Sequence, residues 1–504
     1  MPNLPINPPL AGGPAAPGPS PKRLVSPPAA RRKVIVTIGI DFGTSQTKVL
    51  FRSDEPKAKS VVCLFEDNPA GYPPIGLPST VRIVSGKVYF AADAERRSGG
   101  IVYRSFKTCL RCKLINEHCA HCEAGPHRRS PGHRALPDGE GAVPPDELAA
   151  WYLAYVIAQL SARVRSARGV DVRLMFNIAA PMDALRTGQL YYERTAFLAE
   201  RLAQTGDVDQ GMDLERLRFL YHQLEADNPE LPAEGERSSF VVAESAAGVY
   251  AYVQSPAAED GLYALIDIGA GTTDMSIFRY SVDRLMRDSY LPHFYSAAVC
   301  HVGADRVDRS VFDESVKRGH LPRGLGESMR ADWLGLIRIA KQQDEDGAKV
   351  RRQMGDVIPP DVYQSAAAAI GAELFSHYKR DVFVPAYYVE ADYKHWQNLT
   401  MFLIGGGSSL VGLATALDED PWPPHIPGPR IRRLQLPDGL GWDGGATAAD
   451  RTTRYHQQLM VAYGLSFPYA AVSAFTPPDG RPQLEIRRPP LRPDWDIGPF
   501  DPGS

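Results

Sequence analysis

The 504-residue chain contains no uninterrupted apolar run near the roughly 20 residues that a membrane-crossing helix needs. That excludes an ordinary membrane-spanning helix, and a soluble protein is expected. The chain also has little net charge, with 56 Lys and Arg against 59 Asp and Glu giving −3 when histidine is neutral. No global field favours nucleic acid or an acidic membrane, so any basic contact has to be local. Cysteine is sparse: six residues, four of them crowded between positions 109 and 122. This distribution suits a metal site in a reducing compartment better than a secreted disulfide framework. Arg31-Arg32 precedes Val34-Ile35-Val36, but that apolar run is too short for an export signal and no small-residue cleavage site follows it. The cytoplasm is the expected compartment.

What the chain does have is length for two or three domains and enough apolar residues for their cores. Residues 1–33 begin as a Pro, Ala and Gly mixture that cannot bury a core, and residues 471–504 are again Pro-rich. Both are expected as tails, the first of them disordered. Between them, Val61–Phe65 and Thr80–Val84 have the composition of strands, with the Pro-rich Asn68–Pro78 as the loop that joins them. Residues 91–107 are expected as helical or irregular. From Asp146 a helical period sets in, carried by Leu148, Trp151, Tyr152, Tyr155, Val156 and Leu160. A strand at Val172–Ile178, helix over 186–227, a strand at Ser239–Glu244 and helix at Ala246–Tyr252 follow. Strands alternating with helices on this scale predict an α/β architecture.

The chemistry begins at Gly39-Ile40-Asp41-Phe42-Gly43-Thr44-Ser45, between the apolar runs Val34-Ile35-Val36 and Val49-Leu50-Phe51. A carboxylate ends a buried strand, and Gly43 permits a tight turn whose N–H groups can face an anion. Asp41 offers the hard oxygen that magnesium prefers, directly or through its water shell, while Thr44, Ser45 and Thr47 add hydroxyls. A second copy follows about 226 residues later, with Asp267, Gly269, Gly271 and Thr272 in the same order of strand, Asp, Gly, Thr and strand. Two copies suggest twin lobes closing on the same phosphates. A third site, Gly405-Gly406-Gly407-Ser408, runs from the buried strand Met401–Ile404 into a helical start, where an anionic or planar ligand can approach the backbone.

In this order the three sites resemble the nucleotide-binding domain of the heat shock protein 70 family, within the actin-like ATPase superfamily. Val242-Ala243-Glu244-Ser245-Ala246-Ala247 resembles the family's connecting motif. His301–Asp308 resembles the segment after its second phosphate loop, and Val461-Ala462-Tyr463-Gly464 a late helix under its adenosine loop. The resemblance implies two actin-like lobes of the duplicated ribonuclease H-like type, over residues 34–240 and 241–470, with a Pro/Gly-rich insertion at 418–450. It implies ATP and Mg2+ as cofactors, with Asp41 and Asp267 holding the hydrated metal. Gly43, Thr44, Ser45, Gly269, Gly271 and Thr272 would contact phosphates. Glu244 would order the water–metal network, Lys107 would stand near the γ-phosphate, and Lys341 and Gly405–Ser408 would meet the adenosine. Ala270 replaces a glycine of the usual second loop, Ser409 stands where the chaperones have an arginine, and no peptide-binding domain follows Gly407. The reading is a slow ATPase that switches a protein partner. Its alternatives are a filament-forming actin-like protein and an inactive nucleotide sensor. The sequence fixes no oligomeric state.

Cys109-x-x-Cys112 and Cys119-x-x-Cys122 supply four thiolates within fourteen residues, a set that predicts a structural zinc site stapling a small inserted loop over residues 104–135. His118, His121, His127 and His133 are substitute ligands. Arg104, Lys107, Arg111, Lys113, Arg128, Arg129 and Arg134 make this segment basic. Without interleaved aromatics, a solvated loop is favoured over a nucleic-acid contact.

Overall fold

The computed structural model describes residues 33–69, 72–115, 143–168, 172–255, 257–281, 292–340, 352, 354–355, 358–390, 392–409, 428–434, 436, 440–442 and 455–473. In chain order the first elements are β1 (Val34–Phe42), β2 (Gln46–Ser53), β3 (Val61–Val62), β4 (Gly76–Pro78), β5 (Val81–Val84), β6 (Lys87–Phe90), α1 (Ala91–Arg96), β7 (Ile101–Tyr103), α2 (Phe106–Ile115) and α3 (Pro145–Arg168). Next come β8 (Val172–Ala180), α4 (Met182–Gln204), β9 (Met212–Asp213), α5 (Leu214–Asp227), β10 (Ser239–Ala243) and α6 (Glu244–Val253). The second half contains β11 (Gly261–Ile268), β12 (Thr273–Tyr280), β13 (His293–Cys300), α7 (Ala304–Lys317), α8 (Glu327–Ala340), α9 (Pro360–His377), β14 (Thr400–Ile404), β15 (Arg430–Arg432), β16 (Gly441–Trp442) and α10 (His456–Leu465). The fold is mixed α/β.

The first sheet runs β10-β8-β1-β2-β3-β16, with β4 also on β2. β1 is antiparallel to β2 and parallel to β8, and buried Val36, Ile38 and Ile40 load it with branched side chains that suit a pleated core. The second sheet runs β13-β12-β11-β14-β15. Its central pair repeats the first: β11 is antiparallel to β12 and parallel to β14. The registers also match, since Asp41 faces Lys48 in one hairpin and Asp267 faces Asp274 in the other. A small antiparallel sheet, β7-β5-β6-β9, stands apart from both.

Some short strands fall where loop or irregular chain is expected. β4 lies in the Pro-rich segment and β7 in residues 91–107. At three residues each they are too short to show a period of two, and their pairing with β2 and β5 is what makes them strands. The stretch expected as an insertion at 418–450 supplies an edge strand to each of the two larger sheets, β15 beside β14 and β16 beside β3. The expected division at residue 240 falls inside β10, which belongs with β8, and the chain beyond Lys33 is one compact unit. Its cohesion comes from α10, which returns from late in the chain to the first sheet. Asn177 on β8 donates to the carbonyls of Leu465 and Phe467 at 2.8 and 2.7 Å.

Two glycines permit that return. A methyl group on Gly39 of β1 would lie 2.6 Å from the Ala462 carbonyl oxygen, and one on Gly464 would lie 1.9 Å from that of Ala247 on α6. At both crossings the obstacle is backbone, which no rotamer change relieves. Gly464→Ala is therefore expected to destabilise the protein by about 3 kcal/mol or more. Urea unfolding measures this, and a loss below about 1 kcal/mol would contradict the crossing.

Candidate functional site

The turns of the two matched hairpins open into one cleft. Its lining includes Asp41, Gly43, Thr44 and Ser45 from the first turn, Asp267, Gly269 and Thr272 from the second, and Gly405, Gly406 and Gly407 after β14. Lys107 and Glu244 complete the expected set. Both turn glycines are required by close approach. A Cβ on Gly43 would lie 2.2 Å from the Gln46 carbonyl oxygen, and one on Gly269 2.8 Å from that of Thr272. Gly405 has a φ of +83°, and a Cβ there would lie 2.2 Å from Asp267 Oδ1. Gly271 faces the first turn instead of the cleft, with its Cβ position 3.1 Å from Thr44 Cγ2 and 3.0 Å from Thr108 Oγ1. Ser408 turns inward, donating from its hydroxyl to the Gly405 carbonyl at 2.7 Å. Lys341, Cys119 and Cys122 lie outside the described residues, as do the first tail up to residue 32 and residues 474–504.

The second turn is anchored from behind. The N–H groups of Ala304 and Asp305, opening α7, donate at 2.9 Å to the carbonyls of Gly269 and Ala270. A Cβ on Gly303 would lie 2.3 Å from the Ala270 oxygen, which gives the Val302-Gly303-Ala304 sequence its local reason.

Helix α2 corrects the expected loop. Cys109 and Cys112 lie on it, buried and one turn apart, so the segment from 106 to 115 is packed helix and not part of a solvated insertion. Ser105, with a left-handed φ of +58°, turns the chain into it. Gly188, where α4 kinks, makes room for Leu114. The four basic residues among the described residues are engaged internally, Arg104 with Glu95, Lys107 with Glu244, Arg111 with Asp183 and Lys113 with Asp146, whereas Arg128, Arg129, Arg134, His118, His121, His127 and His133 lie outside the described residues. A chain read only for charge places these side chains in solvent, whereas Lys107 and Arg111 are buried.

Several cleft residues escape the motif reading, Gln46 and Pro73 among them. Lys48 lines the cleft and donates to Asp41 Oδ2 at 3.0 Å. Gln457 and Gln458 enter from the first turn of α10, and the Gln457 carbonyl accepts the Gly405 N–H at 2.8 Å. Asp274 stands behind, opposite Asp267 and buried, with the Met182 N–H 3.5 Å from its Oδ1. Hairpin arithmetic could have found two of them. Each turn sets the residue seven positions after its aspartate directly opposite it, Lys48 in one copy and Asp274 in the other. The glutamines have no such signal.

The electrostatics follow from four carboxylates and two ammonium groups taken out of water. Burial alone would lower the Lys107 pKa, but Glu244, Asp41 and Asp274 outweigh it and raise the value. Asp267 moves up to about 7, first through burial and then through repulsion from Glu244 and Asp41, against the pull of Lys48 and Lys107. Asp274 is pushed well above the usual carboxylate range by burial, Glu244 and Asp267. Surplus buried negative charge of this kind favours an incoming cation.

No protein-family model matches the chain, and no curated protein matches it at a significant level. Its chemistry has to be read from the cleft.

The donor set suits a hydrated magnesium ion held at a distance. The acceptors are hard oxygens, and Gly405 leaves the space beside Asp267 Oδ1 open. Among the described residues, no group of three or more His, Cys, Asp or Glu side chains is arranged to grip a metal directly. The expected zinc set has only Cys109 and Cys112 within the described residues.

Proposed function

We propose that the chain is an ATP-binding, magnesium-dependent ATPase with two actin-like lobes, similar to the nucleotide-binding domain of heat shock protein 70. Its slow hydrolysis would switch a partner interaction in the cytoplasm. One observation carries the reading: two hairpins of the same register bring Asp41 and Asp267, with their turn glycines, into a single cleft beside Lys107 and Glu244. Chance turns supply the residues but not the matched geometry. No helix among the described residues is long and apolar enough to cross a membrane. A structural zinc at the four cysteines remains part of the proposal.

In the proposed reaction a water oxygen bonds to the γ-phosphorus, the bond to the β,γ-bridging oxygen breaks, and the water proton leaves to a carboxylate. Phosphoryl transfer of this kind needs positioning and charge neutralisation more than a covalent nucleophile. Lys107, kept charged by its carboxylate neighbours, offers a fixed positive charge to the transferring group. Glu244 holds that ammonium in place and accepts from water with its remaining lone pairs. Lys48 adds a second positive charge beside the first turn. Magnesium, when bound, would neutralise phosphate oxygens. Asp267, titrating near 7, gives up its proton as positive charge arrives.

Asp41→Ala is the direct test. It is expected to weaken binding of magnesium-ATP by roughly 10- to 100-fold, as loss of an outer-sphere metal partner does. Calorimetric titration at pH 7.5 reads this. Unchanged affinity would remove the nucleotide reading.

A further inference from the structure

Helix α2 places its two buried cations in successive turns. Lys107 reaches Glu244 at the start of α6. Four residues later, Arg111 donates from Nε to both oxygens of Asp183 at 3.1 and 3.0 Å, and its Nη1 reaches the ring of His301. Asp183 lies in the first turn of α4, next to Met182, whose N–H faces Asp274 Oδ1 on β12. His301 lies directly after β13, the edge strand of the second sheet, and before the Gly303 turn that backs the second loop. The guanidinium therefore ties α2 both to the start of α4 and to the segment after β13.

We propose that Arg111 and His301 form a positioning latch, which ties α2 to the segment after β13 and so sets Lys107 against the phosphates. This inference rests on the nucleotide reading above. Asp183 fixes the plane of the guanidinium by accepting from both Nε and Nη2, so Nη1 points in a set direction toward His301. α2 is only ten residues long, and a rotation or slide of its Arg111 turn is delivered to Lys107 one turn away. Thr108, between the two, meets Thr44 Oγ1 at 3.2 Å and packs against Gly271. One face of a short helix thus carries Lys107 and touches both turns and the segment after β13. Arg111 and His301 are positioning residues, with Lys107 the group they act through.

The test compares the full-length parent with His301→Leu and His301→Gln. Leucine fills the space but cannot accept from Arg111, whereas the glutamine carbonyl can. His301→Leu is expected to lose roughly 100-fold in single-turnover hydrolysis, the effect of a small misplacement of a catalytic group. Its affinity for magnesium-ATP should stay within about threefold of the parent, because ground-state binding does not need Lys107 in register. His301→Gln should recover most of the rate. Hydrogen exchange of the α2 amides in nucleotide-free protein gives a second readout, with faster exchange expected in His301→Leu and parental exchange in His301→Gln. Parental hydrolysis in His301→Leu, or an unfavourable affinity change equal to the rate change, would overturn the latch. If the parent itself fails to bind magnesium-ATP, the nucleotide reading falls. The exchange comparison still decides whether His301 orders α2, and unchanged exchange rejects it.

Discussion

Lys107→Met is expected to reduce single-turnover ATP hydrolysis by roughly 100- to 1,000-fold, the usual cost of deleting one fixed charge aimed at a reacting group. The size follows from where the ammonium sits. Its side chain is 6% exposed and its partner Glu244 9% exposed, so water cannot screen or replace the charge that is removed. Methionine keeps most of the volume, which limits the cavity term and leaves electrostatics as the main change. Glu244 is then a buried carboxylate without its cation, beside Asp267 and Asp274. The empty protein should lose about 3–5 kcal/mol of stability at neutral pH. Quench-flow with labelled ATP and urea unfolding read the two effects separately. Hydrolysis within threefold of the parent would exclude Lys107 from the chemistry.

Asp267→Asn should act in the opposite sense on stability. Folding moves this carboxyl from its ordinary 3.8 to about 7, which costs the folded state on the order of 4 kcal/mol above pH 7. Between about pH 4 and pH 7 the native protein binds a proton that the unfolded chain has released. Stability from this group is therefore greatest at low pH and falls as pH rises through that window. The asparagine has no such charge to bury. Its advantage over the parent should grow from pH 4 to pH 7, reach roughly 2–4 kcal/mol and then level off. The same change removes a hard anionic oxygen from the cleft, and magnesium should no longer raise the melting temperature in the presence of ATP. A variant less stable than the parent at pH 8 would show that Asp267 is held by attraction and not by burial. Retained magnesium dependence would show that the ion sits elsewhere.

Much of this arrangement is legible in the chain because it depends on local chemistry repeated. An aspartate two residues before a glycine, at the end of a branched apolar run, appears twice, and a strand leading into three glycines appears once. Those patterns place ten of the expected residues in one cleft, and the resemblance adds Lys107 and Glu244. What is not legible depends on tertiary pairing. The two residues of β16 and three of β15 become strands only because β3 and β14 offer them edges. The lysines and arginines around Cys109 resemble solvent-facing charge until Glu95, Glu244, Asp183 and Asp146 arrive from four other elements. Gln457 and Gln458 reach the cleft because Gly39 and Gly464 let α10 pass close to β1 and α6. A glycine in a strand signals a close approach but not what approaches.

That passage of α10 also sets a timetable. β1 is synthesised about 420 residues before the helix that covers it, a separation on the order of 40 s at roughly 10 residues per second. Until then Val461, Leu465 and their neighbours are missing from the apolar layer they share with Leu50 and Ala247. Pairing across so long a stretch of chain also costs loop entropy before any contact repays it. A nascent chain therefore holds a nearly complete first sheet with one face open from Ala243, the end of β10, until α10 begins at His456. The wall carrying Gln457 and Gln458 is among the last parts of the cleft to be made.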